Sequence, residues 1–468
     1  MTPTAGRAEA GWANTAARPG LNPMAALGFF GFCFYVFAFY SRILDLAMPR
    51  LHLPGVAFGF AIVMAVSSGR IIDVLQDRIA VYMVGLSCWL VICVPGSYWR
   101  GGSFTVLTQS WIPAMLLFLV AGAVIATLTW CRRGLYVLGL AIAAGALLVS
   151  LQGRMVNERL VLERSTYANS NTLAIVLVMG IPMVWLLAAS SRAGLFRKVF
   201  VGGVLLLMVA ALFRTGSREG LIGLAVLYAI AFLRSSLFGK LRLVIALMAL
   251  LAGTVLFLPQ SLKSRFATIF RSATVEIQGA QTAEEQSLLI SARGSSLDRW
   301  NLLLNSVKIT LQHPILGLGP GNFAPYFASQ ATASGIFAEW NGTHNTYTQL
   351  SSETGIPGLC LYLAVLVSSM RALGQIYRRA RRIPGKEASD IATMALALQT
   401  SFMTFCVCAL FNHMAYELTM PLMAGITVEM RRAAPDELSR LEDVEMRQEG
   451  APGPFLQVLP NGNLFVAG

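Results

Sequence analysis

The chain has 468 residues, of which 56% are hydrophobic and only 13% are charged. Soluble proteins carry roughly 25% charged residues, so this composition excludes an ordinary soluble domain and favours a membrane protein. The formal net charge of +13 would suit a nucleic-acid partner. The positions of the basic residues explain it instead as membrane topology, so no nucleic-acid partner is expected.

Twelve apolar segments follow a polar N-terminal tail. We interpret each as a membrane-spanning helix, because a span needs about 20 mainly apolar residues. The first 23 residues are small and polar and predict a disordered tail. The segment that begins at Met24 has no obvious small-residue cleavage site, which favours an uncleaved span over a signal peptide. The segments lie near residues 24–40, 53–68, 79–95, 111–130, 134–151, 171–190, 198–213, 220–233, 241–258, 355–370, 391–411 and 417–430.

The predicted fold is therefore an all-α polytopic membrane protein with about 12 transmembrane helices. Helices 1–9 occupy residues 24–258, and one large loop that contains amphipathic helix follows at 259–354. Helices 10–12 occupy residues 355–430 and precede a tail at 431–468. The sequence shows no internal repeat of the kind found in many transporters.

The basic residues predict the orientation of the chain. If the N-terminal tail is cytoplasmic, 22 of the 36 Lys and Arg residues lie inside and 14 outside. Six of the outer residues belong to the long loop, on which the positive-inside rule hardly acts, and 22 against 8 remain. Both termini are thus predicted to be cytoplasmic and the long loop periplasmic. The seven cysteines lie in or beside spans, and no Cys/His spacing predicts a metal site.

Three segments of the predicted outer face are unusually polar. The first contains Arg154 and Arg159 and leads to Asn169 and Asn171 at the mouth of a span. The second is the tight connection 214–220. The third is the long loop, with Arg293, Arg299, His313 and His344.

Arg218, in the second of these segments, has two interpretations. It either reaches to the membrane interface or pairs with the neighbouring Glu219, or it binds an anionic group such as phosphate through its planar donor fork. Ionisable residues at membrane depth are expensive and usually face a cavity or a partner. This favours the anion-binding interpretation.

The long loop predicts an amphipathic helix with Asp298 as N-cap and Pro314 as stop. We expect this helix to lie on the membrane or on the helix bundle. Arg299 falls in its first turn, an unfavourable place for a cation in the field of the helix dipole, which suggests an anion nearby. A solvated surface arginine is the alternative. The apolar positions are Trp300, Leu303, Leu304, Val307 and Leu311, with Asn301, Asn305, Lys308 and Gln312 opposite.

The glycine-rich sequence from Gly317 to Asn322 looks like a phosphate-binding loop only superficially. It follows a helix rather than a strand, and Pro320 interrupts it, so we interpret it as a turn. His344 then opens a segment that leads into a span. Glu353 lies nine positions further on, about half a turn out of phase, so one straight helix would not bring it to His344.

Taken in order, these motifs resemble the O-antigen ligase and O-antigen polymerase superfamily of bacterial envelope assembly. The resemblance covers roughly residues 165–360 and rests on Asn169–Asn171, Thr215–Arg218, Arg299, the glycine-rich turn after Pro314, and His344–Asn345 before Glu-Thr-Gly-Ile-Pro-Gly-Leu. It implies a GT-C-like fold in the bacterial inner membrane. It also implies a metal-independent, inverting glycosyl transfer at the periplasmic face, without a cofactor.

The resemblance further implies the substrates and the role of each residue. The donor would be a glycan on undecaprenyl diphosphate, and the acceptor would be the lipid A core in a ligase or a second lipid-linked glycan in a polymerase. Arg218 and Arg299 would bind the diphosphate and stabilise the leaving group. His344 would act on the acceptor hydroxyl as general base, or orient it. The substrate-binding candidates are Arg293, Arg154, Arg159, Asn169, Asn171, Asn345 and His413.

One departure from the family pattern leaves two candidates for the second diphosphate-binding arginine, Arg299 and Arg293. The family places an aromatic residue four positions after the second arginine, where this chain has Leu303, whereas Trp300 directly follows Arg299. Alignment on the tryptophan would favour Arg293, which ranks second to Arg299. The compact loop and the single set of motifs favour a ligase slightly over a polymerase. A lipid-linked oligosaccharide flippase or transporter is the third alternative.

Overall fold

The computed structural model describes residues 22–156, 158–163, 165–189, 193–257, 299–333 and 340–449, together with 455–458 and 464–467. The residues before 22 and all of the predicted loop before Arg299, including Arg293 and the predicted N-cap Asp298, lie outside the described residues. The described chain is nearly all-α, as predicted. Its helices are α1 (Pro23–Ser41), α2 (Ile43–Ala47), α3 (Leu53–Ser67), α4 (Ile71–Leu75), α5 (Arg78–Cys93), α6 (Arg100–Val106), α7 (Ile112–Val124), α8 (Leu128–Gln152), α9 (Ser170–Ala189), α10 (Leu195–Arg214), α11 (Arg218–Arg234), α12 (Leu237–Phe257), α13 (299–312), α14 (Phe323–Ala333), α15 (Thr346–Ala380), α16 (Lys386–Cys408) and α17 (Thr419–Glu449).

Two short antiparallel hairpins add strand structure that the sequence did not predict. Strand β1 (Arg154–Val156) pairs with β2 (Arg159–Val161), with Arg154 opposite Val161. Strand β3 (Phe455–Val458) pairs with β4 (Leu464–Ala467). The first hairpin connects α8 to α9 and therefore lies at the mouth of a span.

Within the described residues, seven helices are long and apolar enough to cross a bilayer. Helices α3 and α5 are apolar but have only 15 and 16 residues. Each of the twelve predicted segments contains helix, whereas the count of twelve spans stays a prediction. The seven are α1, Arg100–Val124, α8, α9, α10, α15 and α16.

The predicted span 111–130 is wrong in its bounds. The helix begins at Arg100 and ends at Val124, and a separate helix, α8, begins at Leu128. The sequence did not predict the start at Arg100 because the first turns contain small and polar residues. One of them, Ser103, is buried and donates its hydroxyl to the carbonyl oxygen of Pro320 at 2.9 Å. The break is fixed by the hydroxyl of Thr127, which caps α8 by accepting a hydrogen bond from the backbone N–H of Trp130.

Helix α9 lies at the centre of the bundle, in contact with α8, α10 and α16. Small residues allow two of these helices to approach closely, since a Cβ atom on Gly180 would come within 2.6 Å of Ile142 on α8. Helix α15 packs against α16 and α5, and α17 packs against α7. Apolar residues on α3, α10 and α12 are exposed, as expected of surfaces that face lipid.

Ion pairs tie together connections that the sequence places on the cytoplasmic side. Arg70 pairs with the buried Glu429 at 3.1 Å, and Arg432 contacts both Glu429 and Asp73 at 3.2 Å. Arg132 pairs with Asp390 at 3.0 Å. These contacts explain how the buried carboxylate of Glu429 on α17 is tolerated, because it has two basic partners.

Helix α13 presents its predicted apolar positions outwards. Trp300, Leu304, Val307 and Leu311 are between 44% and 74% exposed. The helix packs on the protein through a different face, formed by Leu302, Ser306 and Ile309, which are at most 4% exposed. Of the two expected locations, the exposed stripe favours the membrane surface for the predicted face, with the opposite side resting on the protein.

Helix α15 is broken at Gly355, the residue at which the sequence places the start of a span. Gly355 has φ +70° and ψ −177°, a conformation reserved almost entirely for glycine. The backbone N–H of Ile356 donates to the carbonyl oxygen of Pro314 at 2.8 Å, so the break is bonded to the chain that follows α13. The first half of α15 therefore belongs to the outer structure and the second half to the bundle.

We expect Gly355→Ala to destabilise the protein by at least about 2 kcal/mol, because the new Cβ atom adds left-handed strain and overpacking. That atom would lie 1.9 Å from the carbonyl oxygen of Ile315. The measurement is the thermal unfolding of purified protein in detergent. Gly253→Ala, on α12 with no neighbouring atom within 4 Å, is the matched control and is expected to unfold like the wild type. Equal Tm values for both variants would contradict the tight contact.

Candidate active site

Arg159 connects three segments of the predicted outer face. It is the first residue of β2, and its Nε donates to the backbone carbonyl of Thr215 at 3.0 Å. Its Nη2 donates to the side-chain carbonyl of Asn171, which is buried in the first turn of α9. The first hairpin, the mouth of α9 and the connection between α10 and α11 are thus joined through one guanidinium.

The connection between α10 and α11 is a tight turn with buried polar residues. Thr215 donates its hydroxyl to the carbonyl of Leu212 at 2.6 Å, and Gly216 has φ +60°. Ser217 caps α11 by accepting a hydrogen bond from the backbone N–H of Gly220. The turn fixes the start of α11, where Arg218 is half-buried and Glu219 is buried.

Glu219 binds Arg299 rather than its neighbour Arg218. Its Oε1 lies 3.4 Å from an Nη of Arg299, and the positive charge of Arg159 acts on the same carboxylate. The side chain of Glu219 is 1% exposed and that of Arg299 is 32% exposed. One side of the Arg299 guanidinium is therefore held by a buried anion, while the other remains accessible.

His344 and His413 form a pair beside this arginine. Their rings meet edge to face with centroids 5.2 Å apart. The Nδ1 atoms of both are buried and have no hydrogen-bond partner among the described residues. His344 has φ +50°, and a Cβ atom on Gly342 would come within 3.0 Å of the His413 ring, so the backbone is closely fitted around the pair.

The environment keeps both imidazoles neutral. Burial, together with the nearby His413 and Arg299, lowers the pKa of His344 to about 4. Burial and the charge of Arg299 also lower the pKa of His413. At neutral pH each ring therefore keeps one nitrogen with a free lone pair, which is the form that accepts a proton from a hydroxyl group.

The glycine-rich sequence after α13 is a turn, as predicted. Its backbone N–H groups are used within the protein: Leu318 donates to Ser352, Gly319 donates to the backbone of Glu353, and Gly321 donates to the carboxylate of Glu353 at 2.9 Å. Glu353 is 3% exposed and also accepts the hydroxyl of Tyr416 at 2.8 Å. It therefore anchors the turn, in agreement with the absence of a predicted His344–Glu353 dyad.

Comparison with known families identifies the segment that contains this site. Residues 203–363, about a third of the chain, match the family model described as O-antigen ligase. This segment is similar to the O-antigen ligase family, and the match supports the resemblance to the O-antigen ligase and polymerase superfamily. Members of this family are glycosyltransferase-like enzymes with lipid-linked glycan substrates. No curated protein matches the sequence significantly.

The matched segment holds Arg218, Glu219, Arg299 and His344. His413 comes from outside it, on the connection between α16 and α17. Arg159 and Asn171 come from the preceding part of the chain. The site is thus assembled from five regions that are distant in sequence, and the structure brings six predicted residues to one end of the bundle. They are Arg159, Asn171, Arg218, Arg299, His344 and His413.

Three other candidate residues have local hydrogen-bond or ion-pair partners. Asn345 caps α15, accepting hydrogen bonds from the backbone N–H groups of Tyr347 and Thr348 while donating to the carbonyl of Leu410. Asn169 accepts a hydrogen bond from the backbone N–H of Asn171 at 2.9 Å. Arg154 is exposed and forms a surface ion pair with Glu163 at 3.5 Å, an interaction that stabilises little. Substrate contacts for these three, and for Arg293, remain predictions.

The sequence analysis did not predict that Glu219 binds Arg299, because it considered Glu219 only as a partner for Arg218. Adjacent residues on a helix point in different directions, so that pairing was geometrically unfavourable from the start. This helix geometry could have indicated that the partner of Glu219 lies elsewhere in the sequence. Among the described residues, no group of three or more His, Cys, Asp or Glu side chains has the geometry to hold a metal ion.

Proposed function

We propose that this protein is an O-antigen ligase that transfers a glycan from undecaprenyl diphosphate to lipid A core at the periplasmic face of the inner membrane. The observation that carries the proposal is the juxtaposition of Arg299 with the His344–His413 pair at one end of a helix bundle. An accessible guanidinium next to neutral imidazoles suits a reaction that expels an anion and consumes a hydroxyl proton.

The arginines bind and stabilise the leaving group. Arg299 is fixed by Glu219 on one side and offers donors on the other, so it is oriented before the substrate arrives. Arg218 is the second diphosphate ligand in the proposal. Arg159 holds Asn171 and Thr215 in place. As the glycosidic bond breaks, negative charge develops on the diphosphate and these cations stabilise it.

The histidine pair acts on the acceptor. An acceptor hydroxyl oxygen attacks the anomeric carbon from the face opposite the diphosphate, which inverts the configuration there. The new carbon–oxygen bond forms as the bond to the diphosphate oxygen breaks. The hydroxyl proton passes to the free nitrogen of His344 and then to solvent, and undecaprenyl diphosphate leaves. His413 orients His344 by edge-to-face contact.

A polymerase is the second candidate function, because the same residues would act on a second lipid-linked glycan. The family match does not distinguish the two activities. A flippase or transporter is less well supported. It would require neither the neutral histidine pair nor the fixed Arg299. Among the described residues, two ion pairs lie on the predicted outer side, Arg299–Glu219 and the exposed Arg154–Glu163. The other ion pairs join segments predicted to lie on the cytoplasmic side.

The test is transfer by purified protein in liposomes, with an undecaprenyl-diphosphate oligosaccharide from the source bacterium and lipid A core present or absent. We expect product on the lipid A core and no loss of activity in EDTA, because the proposed chemistry uses only protein side chains. Lengthened lipid-linked glycan without lipid A core would instead show a polymerase. Movement of the donor across the bilayer without transfer would contradict both enzymes, and inhibition by EDTA would contradict the metal-independent mechanism.

A further inference from the structure

A cavity of about 310 Å³ lies beside the candidate active site. Its volume is at the lower end of the range for small-molecule sites, roughly 300–1,000 Å³. It is formed by the end of α1, the start of α9, the helix Arg100–Val124 and the connection that precedes α17. Two residues that line the cavity are close in sequence to residues of the candidate site. Thr172 directly follows Asn171, and Glu417 lies four residues after His413.

Aromatic rings form one part of the cavity wall and are held in fixed orientations. Tyr167 donates its hydroxyl to the backbone carbonyl of Tyr40 at 2.6 Å, and Tyr416 donates its hydroxyl to Glu353 at 2.8 Å. Phe39 also lines the wall, and the guanidinium carbon of Arg42 lies 4.2 Å from its ring centroid. Since the tyrosine hydroxyls are already bonded, these residues present mainly ring surface to an occupant.

Polar side chains without protein partners form another part of the wall. Glu417 is half-buried in the cavity wall, and it makes no ion pair and accepts no hydrogen bond from the other described residues. Burial raises the pKa of its carboxyl group to about 7. The hydroxyls of Ser110 and Thr172 likewise make no hydrogen bond within the described part of the chain. Withdrawing a carboxylate from water is costly unless hydrogen-bond donors compensate for it. The cavity therefore lacks the donors that an occupant would supply.

The helix wall of the cavity has an irregular turn at this point. Residues Leu107–Trp111 form a π-helical turn between α6 and α7, and Ser110 and Gln109 of this turn line the cavity. Such turns within α-helices are rare and occur frequently at functional sites. Non-helical backbone at membrane depth is tolerated where it borders a cavity. The π-helical turn is a second, independent feature that distinguishes this wall from ordinary helix packing.

We propose that this cavity is a saccharide subsite that binds one neutral, hydroxyl-rich sugar ring of a substrate, with Glu417 accepting hydrogen bonds from its hydroxyl groups. The inference rests on the proposed glycan transfer and deepens it. Sugar hydroxyls supply the donors that Glu417 lacks, and the aromatic rings pack against the apolar faces of the ring. The carboxylate would repel a phosphate, so the diphosphate belongs at Arg299 and the sugar belongs here.

The test is steady-state kinetics of Glu417→Gln in the liposome assay, with separate titrations of the lipid A core and of the undecaprenyl-diphosphate oligosaccharide. Replacing the charged acceptor by an amide weakens hydrogen bonds from a sugar, so we expect KM for one substrate to rise about tenfold with kcat less affected. A rise for lipid A core assigns the ring to the acceptor, and a rise for the oligosaccharide assigns it to the donor. Glu163→Gln, on the exposed hairpin ion pair, is the matched control.

A second variant fills the cavity from the opposite wall. Ser110→Phe is expected to raise the same KM at least about tenfold by displacing the ring, whereas Thr105→Phe, exposed one turn earlier on α6, leaves it unchanged. Unchanged KM values for both substrates in Glu417→Gln and Ser110→Phe, with normal wild-type transfer, would show a cavity filled by water only and overturn the subsite. Absence of transfer by the wild-type protein would instead overturn the proposed function on which the subsite rests.

Discussion

Arg299→Ala is expected to lower kcat/KM for glycan transfer about a hundredfold to a thousandfold. Removing one preorganised donor from a developing anion has an effect of this size in other enzymes. The same substitution leaves Glu219 buried without the partner that lies 3.4 Å from it. A lower Tm is therefore expected too, and loss of activity through unfolding must be separated from loss of catalysis.

The double variant Arg299→Ala with Glu219→Gln makes that separation. The amide removes the unpaired buried charge, so the Tm is expected to return towards the wild-type value. Activity is expected to stay low, because the diphosphate still lacks its ligand. Recovery of activity in the double variant would mean that Arg299 serves only to neutralise Glu219.

Two further variants refine the interpretation of Arg299. Arg299→Lys keeps the charge but loses the planar fork, so partial activity is expected. Lys308→Ala removes an exposed cation from the same helix, α13, and is expected to behave like the wild type. Normal transfer by Arg299→Ala would refute the diphosphate clamp outright.

The positions of the helices could be predicted from the sequence because the bilayer imposes a simple requirement. Every span must satisfy its backbone internally and present apolar side chains to lipid, so apolar segments mark helices directly. Because this criterion recognises only apolar segments, it missed the polar start of the helix at Arg100. One side of its polar first turns bonds to the glycine-rich turn, through contacts such as Ser103 with Asn322 at 3.0 Å. Pairing over more than 200 positions leaves no periodic signal.

The candidate site could be predicted by residue type but not by partner. Arg218, Arg299 and His344 stood out because charged and titratable groups are unusual at a membrane surface. That Arg299 binds Glu219, 80 positions away, follows only from the packing of α13 against the start of α11. The capping role of Asn345 could also have been predicted, because an asparagine followed directly by a helix is a typical N-cap.

Loss of His344 is expected to lower kcat about a hundredfold to ten-thousandfold, the range typical of a general base. His344→Asn is the cleaner substitution, because asparagine tolerates the φ of +50° at this position, whereas alanine there adds strain. Donor binding is expected to be unchanged, since the diphosphate is held by arginines. His313→Ala, at an exposed turn position, is the histidine control and is expected to keep its activity.

The pH dependence of the wild-type enzyme tests the same assignment without a substitution. A base must be unprotonated to act, and the pKa of His344 in the free enzyme is lowered to about 4. The acid limb of kcat/KM is therefore expected near pH 4, well below the ordinary histidine value of about 6.5. Bound diphosphate offsets the charge of Arg299, one of the causes of the lowered pKa, and so raises the pKa of His344. The acid limb of kcat, which reports the enzyme–substrate complex, should accordingly lie at higher pH than that of kcat/KM.

The activities of His344→Asn and His413→Asn, measured side by side, show which of the two imidazoles is the general base. His413→Asn is expected to reduce activity less than His344→Asn, because His413 contacts the base rather than the acceptor in the proposed mechanism. The reverse order would exchange the two roles while retaining the pair. If His344→Asn and His413→Asn both transferred glycan at the wild-type rate, and the acid limb of kcat coincided with that of kcat/KM, neither imidazole would be moving a proton. Catalysis would then rest on the arginines and on substrate positioning alone.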